Sequence, residues 1–353
     1  MSRIYLDHAA TTPLRPEARE AMLRGFEIWA NPSSPHAEGR KARAALEDAR
    51  ERVKKALGWE GEVIFTSGAS EALAIGLQRA KVDRRIVSAV EHDAVFRAAP
   101  DAKVVPLYPA VPYLDLDRLC EFLADDGPAV VAVQSVNSET GNYIAHDPEG
   151  LLSTVVREGG GWLLTDCAQS AGKIQIGDCD MAVISAHKFG GPIGIGALLV
   201  KDYAMLEPTG GHERGYRAGT ENLPGALGMA AALECGGLDR WQTTFEQHWK
   251  FRNDLWKAGE EVVEANGCPY ITAVAHPTMS AQALLIRLDA KGFAVSAGSA
   301  CSSGTLKRSR VLKAFGIDDD TASRTIRVSI GWNTTPHELD AFSEAWSELV
   351  RAA

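Results

Sequence analysis

Apolar residues recur at helical spacing over residues 37–57, where Ala42, Leu46, Ala49, Val53 and Leu57 share one face and Gly58 supplies a stop. The period then shortens. Short apolar runs read as strands: EVIFT (62–66), RRIVSAV (84–90), AVVAVQSV (129–136), GWLLTD (161–166), DMAVIS (180–185) and IGALLV (195–200). Helical stretches separate them, one opened by the turn SGAS at 67–70. Strands that alternate with helices, and that are apolar throughout rather than at every second position, predict a mostly parallel sheet covered on both faces. Ligands of such sheets gather beyond the carboxyl ends of the strands, and His92, Asp166 and Ser185 fall at or just past such ends.

The rhythm changes after residue 240. A stretch over 240–265 reads as a long helix, followed by a helix near 281–291, a strand ending near Ala297 and the strand TIRVSIG (325–331). The final helix carries Thr335 as N-cap, Pro336 in its first turn and Glu338 to complete a capping box, with Leu339, Phe342, Trp346 and Leu349 on its apolar face. The expected organisation is α/β: a large domain over 13–240, and a smaller α+β domain over 1–12 plus 241–353.

Composition narrows the function without naming it. The 353 residues are 45% hydrophobic and 24% charged, as expected of a globular chain rather than a disordered one. A net charge of −9 argues against nucleic acid or an anionic membrane surface as a partner. No apolar run approaches a membrane span, and the opening MSRIYLDHAATTP has no signal-peptide core, so a cytoplasmic location is expected. The six cysteines, at 120, 167, 179, 235, 268 and 301, form no CxxC pair and read as free thiols in a reducing compartment. The nine histidines have no metal-ligand spacing, and no metal is expected.

Four segments carry candidate chemistry. In SAHKFGGPIGIG (185–196), Lys188 follows a strand and precedes a glycine-rich turn. A lysine there can form a Schiff base with a carbonyl cofactor, while Ser185 and His187 can bind a phosphate. A P-loop is excluded, because its lysine would follow the glycines. In TDCAQSAGK (165–173), Asp166 closes an apolar strand, and a buried carboxylate needs a partner such as a protonated pyridine nitrogen, or else serves as an N-cap. In FTSGASEA (65–72), the backbone N–H groups of Gly68, Ala69 and Ser70 and the Ser70 hydroxyl can cradle a phosphate at a helix start. In EHDAV (91–95), His92 stands beyond a strand.

Together these segments resemble the cysteine desulfurases of the class V aminotransferase group, within the fold-type I pyridoxal-phosphate enzymes. The likeness also runs through YLDHAATTP (5–13), NPSSPHAEGRKAR (31–43), VNSETG (136–141), GGHERGYRAGTEN (210–222), SAGSACSSG (296–304) and IRVSIG (326–331). The GSACSSG segment narrows it to the nitrogen-fixation and iron–sulfur-cluster type. The resemblance implies a seven-stranded sheet domain, pyridoxal 5′-phosphate (PLP) as cofactor and L-cysteine as substrate. It makes Lys188 the Schiff-base lysine, Asp166 the partner of the ring nitrogen, Gln169 a donor to the phenolic oxygen, and His92 the stacking residue that helps move protons. It assigns the phosphate to Ala69, Ser70, Ser185 and His187, and gives Thr220 to the phosphate of the other subunit of a homodimer. Arg327 would hold the substrate carboxylate, with Asn137 nearby, and Cys301 would accept the sulfur as a persulfide for an acceptor or scaffold protein. The chain departs from the family pattern at Ser138, where a second Asn is common, and at Trp332, where a charged residue is frequent.

These residue types suit the reaction. Removing an α-proton needs an electron sink, and a protonated pyridine ring is one while an ionised carboxylate faces it. The sulfur acceptor must be a thiolate, and an ordinary cysteine is only about 3% ionised at pH 7. Lys307, Arg308 and Arg310 lie just beyond Cys301 as sources of positive charge or as a solvated basic turn. The alternative readings are a selenocysteine lyase or another class V lyase or aminotransferase, and a non-catalytic scaffold. The presence of Cys301 argues against a plain aminotransferase, and the complete set of Lys188, Asp166, His92, Arg327 and Cys301 argues against the scaffold.

Overall fold

The computed structural model describes residues 3–108, 111–145, 150–263, 267–298 and 309–352. A two-residue strand, β1 (Ile4–Tyr5), precedes two helices, α1 (Pro16–Glu27) and α2 (Ala37–Leu57). α2 buries the face predicted for it and ends at Gly58, whose φ of 64° is the left-handed cap that glycine adopts without a Cβ clash. The main sheet then follows: β2 (Glu62–Thr66), β3 (Arg84–Ser88), β4 (Lys103–Val105), β5 (Ala129–Gln134), β6 (Trp162–Asp166), β7 (Met181–Ser185) and β8 (Gly196–Val200). Between or after these strands come α3 (Ala69–Gln78), α4 (Asp93–Ala98), α5 (Leu116–Leu123), α6 (Leu151–Glu158) and α7 (Leu223–Glu234).

The seven strands lie in the order β2-β8-β7-β6-β5-β3-β4, and β8 alone runs antiparallel to its neighbours. This is the mostly parallel α/β architecture expected of a fold-type I enzyme. Successive strand residues point to opposite faces. Val131 and Val133 of β5 therefore join the core beneath α1, α2 and α7, while Val130 and Ala132 join the core beneath α3 and α4. Burial on both faces explains why the strands read as continuous apolar runs. β3 and β5 end two residues earlier than the apolar runs suggested, at Ser88 and Gln134. Beyond these points the chain turns out of the sheet toward the site.

The C-terminal part holds β9 (Glu260–Glu261), β10 (Ile271–Ala275), β11 (Phe293–Ala294), β12 (Ser296–Ala297) and β13 (Thr325–Ser329), with α8 (Phe245–Ala258), α9 (Ala281–Ala290), α10 (Arg310–Ala314), α11 (Asp319–Arg324) and α12 (Pro336–Arg351). The long helix expected over 240–265 is confined to α8. The Thr244–Gln247 capping box starts it, Gly259 ends it, and the chain continues as β9. The capping box predicted at Thr335 and Glu338 opens α12. An antiparallel sheet, β12-β13-β10-β9, shares an apolar cluster with Leu6 and Ala9 of the N-terminus. β1 pairs with β11, and Asp7 bridges to Ser329, so residues 4–10 are held against β13 at the edge of the main site.

Candidate active site

β5, β6 and β7 run parallel, and their carboxyl ends lie side by side with Gln134 in register with Asp166. Thr66 of β2 pairs with Gly196, which pairs in turn with Ser185. The start of α3 thereby meets the end of β7. Gly196 has to be glycine, because a Cβ there would lie 2.7 Å from the Cα of Gly68. Together these ends enclose a cavity of about 540 Å³. Among the residues singled out from sequence, Gly68, Ala69, Ser70, His92, Asp166, Gln169, Ser185, His187, Lys188 and Arg327 line it.

Lys188 closes a 3-10 turn, Ala186–Lys188, directly after β7. Its Nζ donates to the carbonyls of Ala9 at 2.6 Å and Ala10 at 3.0 Å, so the N-terminal segment orients the amine. Asp166 is buried at the end of β6, and its Oδ1 accepts from the Ala168 N–H at 2.9 Å. Burial pushes its carboxyl above the ordinary value, against the N–H bond and the positive fields of His92 and Lys188. A cation lodged in the cavity would hold that carboxyl ionised. His92 caps α4: its Nδ1 accepts from the Ala94 N–H at 3.2 Å, so a neutral ring carries its proton on Nε2. The surrounding protein lowers its pKa, Asp166 raises it and Lys188 lowers it.

Another wall of the cavity carries donors that suit an anion. α3 begins at Gly68 with no side-chain cap, and its first-turn N–H groups have no acceptor within the helix. Ser70, Ser185 and His187 add side-chain donors on the same cavity wall. His187 shares a hydrogen bond with Thr11 at 3.2 Å, and burial pushes its imidazole down to about 4. Opposite, Gln169 donates from Nε2 to the Ala9 carbonyl at 2.9 Å, while its buried Oε1 has no partner. Arg327 on β13 is buried, donates to Asp7 at 2.8 Å and to the Ser138 carbonyl at 2.9 Å, and keeps Nε unpaired.

Asn137 and Thr220 do not line this cavity in the chain itself. Asn137 is buried but faces its own loop. Its Oδ1 accepts from the N–H groups of Glu139 and Thr140, and its Nδ2 donates to Val90, so Val136 and Ser138 line the cavity instead. Thr220 is exposed and is not part of the cavity of its own chain. Cys301 lies outside the described residues, as do Lys307 and Arg308. Arg310, offered from sequence as a charge beside Cys301, is bound at the His92 turn. It donates to the carbonyls of Ala89 and Glu91 and stacks on Phe96 at 3.9 Å. Burial raises the thiols of Cys167, Cys179 and Cys268, that of Cys179 to about 12, so none of these three is a ready thiolate. Cys235 is half-buried and Cys120 is exposed.

The Thr220 segment is anchored by a buried ion pair. Glu213 accepts from Arg50 at 2.8 Å and from the Phe65 N–H of β2 at 2.9 Å, and the two side chains are 1% and 3% exposed. Glu213 and Arg214 hold φ values of 46° and 55°, an unfavourable conformation for residues with a Cβ. Glu213→Ala leaves Arg50 buried without this partner, and we expect a loss of about 3–5 kcal/mol in urea unfolding. A loss under about 1 kcal/mol would show that the pair does not anchor the segment.

A mostly parallel sheet with a lysine, an aspartate and a helix N-terminus converging at its strand ends defines a fold-type I enzyme. The chain belongs to the class V aminotransferase family, whose model matches residues 4–342. It is 34% identical to the cysteine desulfurase IscS of Dictyoglomus turgidum, over 98% of this chain and 94% of that one. Among solved structures, a NifS-like protein matches with a TM-score of 0.86 at 28% identity, over 99% of this chain and 100% of that one. A second, SspA in complex with cysteine, matches with a TM-score of 0.77 at 27% identity, over 94% and 99%.

PLP is the cofactor of this family, and the cavity suits it. The uncapped α3 start and its serines match a phosphate, and the buried Asp166 carboxyl matches a protonated ring nitrogen. Gln169 lines the cavity and spends one of its two amide N–H groups on the Ala9 carbonyl, which leaves a second donor on the side chain. We expect Asp166→Asn to retain the fold but lose about 10²-fold in turnover, the equivalent of a charge-assisted hydrogen bond of about 3 kcal/mol. Near-normal turnover in a cofactor-loaded variant would remove Asp166 from that role.

Proposed function

We propose that this protein is a PLP-dependent L-cysteine desulfurase that moves the sulfur of L-cysteine onto Cys301 and releases L-alanine. The observation that carries the reading is the convergence of Lys188, Asp166 and Arg327 on one cavity in a chain whose relatives are named cysteine desulfurases. Bound PLP supplies the electron sink for the α-carbon. Lys188 is the residue that would hold it covalently, with Asp166, Gln169 and His92 around the ring and Ala69, Ser70, Ser185 and His187 at the phosphate. Arg327 binds the substrate carboxylate, with Asn137 bracing the loop beside it. The Lys188 amine moves the α-proton, and His92, with its proton on Nε2, serves the sulfur end. The Cys301 thiolate attacks the substrate sulfur. An S–S bond forms as the C–S bond breaks, the carbon fragment gains the proton, and alanine leaves while Cys301 carries a persulfide.

Incubating the PLP-loaded protein with L-cysteine and a thiol reductant tests this reading. Alanine and sulfide in equal amounts are expected. Turnover confined to L-selenocysteine would instead mark a selenocysteine lyase, and pyruvate as product would mark another lyase chemistry.

The chain divides, in our reading, into a PLP-binding body over 13–240 and a smaller one over 1–12 plus 241–353 that carries the Cys301 segment. Among the described residues, no helix is long and apolar enough to cross a membrane. A cytoplasmic protein that hands its persulfide to an acceptor or scaffold protein for iron–sulfur or thio-cofactor assembly fits the unpaired thiols. The working unit in this reading is a homodimer in which Thr220 reaches the partner's phosphate site. Trp29 and Ile193, each 79% exposed, support a covered face, and Ile193 is also part of the cavity wall. Mixing Thr220→Val subunits with Lys188→Ala subunits puts both lesions in one site of a heterodimer and neither in the other. Activity in the mixture is expected, and none in verified heterodimers would contradict site sharing.

A further inference from the structure

Lys173 is a buried lysine that the proposed reaction does not use. It is 8% exposed, and among the described residues no carboxylate pairs with it. Its Nζ donates to the Gln169 carbonyl at 2.9 Å and lies 5.0 Å from the centre of the Tyr270 ring. The Tyr270 hydroxyl donates to the same carbonyl at 3.2 Å. Two side chains therefore grip one backbone oxygen. Lys173 lies four residues further along the chain, and Tyr270 lies 101 residues away, just before β10. The other end of Gln169 is the amide on the cavity wall, which donates to the Ala9 carbonyl that also receives Lys188. A cation this deep is costly unless it does something for the fold or the site.

We propose that Lys173 is a positioning residue for the cofactor: with Tyr270 it fixes the Gln169 main chain from behind, keeping the Gln169 amide aimed into the cavity, and it sets the local positive field around Lys188. This rests on the PLP reading above. The groups that face Lys173 are Cys268 and Tyr270 from the segment before β10, Lys188 from the turn after β7, and His8 and His187, whose imidazoles its charge helps to keep neutral. Burial first, then Lys188, pushes the Lys173 amine down to about 7, with Cys268 acting in the opposite sense. Burial thus opposes the charge, while the Gln169 carbonyl and the face of the Tyr270 ring favour it. Burial keeps the Tyr270 hydroxyl neutral and able to donate.

The sign of the effect follows from electrostatics. A nitrogen near a cation is harder to protonate. Removing Lys173 makes the nitrogen that joins Lys188 to the cofactor easier to protonate, and a loosened Gln169 amide adds to the change. The test is the pH titration of the absorbance of the PLP-loaded protein, a readout that requires no turnover. Lys173→Met fills the same space without the charge or the hydrogen bond. Its midpoint is expected to rise by about one pH unit, a tenfold change in proton affinity, with the cofactor still attached at Lys188 by borohydride mapping. Tyr270→Phe removes only the second donor and is expected to shift the absorbance spectrum with a smaller change in midpoint. A Lys173→Met protein that is merely less stable, with the wild-type midpoint and spectrum, would overturn the assignment. If Lys173→Met does not fold, a wild-type spectrum in Tyr270→Phe overturns it instead. A wild-type protein that takes up PLP but not at Lys188, or takes up none, overturns the PLP reading itself.

Discussion

Lys188→Ala is expected to leave a folded protein from which borohydride no longer recovers a covalently attached cofactor. Lys188 is the lysine at the end of β7, and its amine is held by the carbonyls of Ala9 and Ala10 inside the cavity. In the proposed reaction, alanine removes both the point of attachment and the group that moves the α-proton. A positioned acid–base group contributes up to about 10⁴-fold, and the loss is expected at or above that figure. Peptide mapping after reduction of the wild type reads the assignment directly. Cofactor found on Lys173, the other lysine buried nearby, would reassign the role.

Cys301→Ser is the second large effect, and it separates desulfuration from the rest of the family's chemistry. Serine keeps the shape of the side chain but is not a thiolate and cannot carry a persulfide. The groups that line the cavity are untouched, so the variant is expected to bind PLP and to change its spectrum on adding L-cysteine. Alanine release should fall by more than about 10³-fold, in line with the removal of other nucleophiles. The described cysteines offer no ready substitute at Cys167, Cys179 or Cys268, whose thiols burial keeps protonated. Retained activity on L-selenocysteine with none on L-cysteine would support the assignment, because selenium leaves carbon more readily than sulfur. Full cysteine turnover by the serine variant would contradict it.

Much of this site is legible in the sequence because it is assembled from strand ends. Parallel strands buried on both faces write themselves as apolar runs, and Asp166 and Ser185 close two of those runs. Strand ends gather at one edge of a parallel sheet, so the order of runs alone assigns residues far apart in the chain to one cavity. What stays hidden depends on contacts made across the fold. Nothing local shows that the Asn137 amide is occupied by its own turn. Arg310 meets the His92 turn across 219 residues, and Tyr270 meets Gln169 across 101. Lys173 is polar in the turns that follow β6, and no periodicity marks it as buried. Its one signal is its place in DCAQSAGK, the segment that also holds Asp166 and Gln169. The long helix expected over 240–265 stops at Ala258, where Gly259 leaves the helical conformation and packs so closely that a Cβ would lie 2.8 Å from the Ala275 carbonyl oxygen. That constraint comes from β10, again out of reach of local pattern.

The most direct test of the central claim is a single turnover without reductant. PLP-loaded protein mixed with a limited amount of L-cysteine is quenched, its alanine is counted, and the peptide containing Cys301 is weighed by mass spectrometry. One alanine for each Cys301 peptide heavier by one sulfur atom is the predicted result. Alanine formed while Cys301 keeps the mass of a plain thiol, or sulfur found on another cysteine, would contradict it.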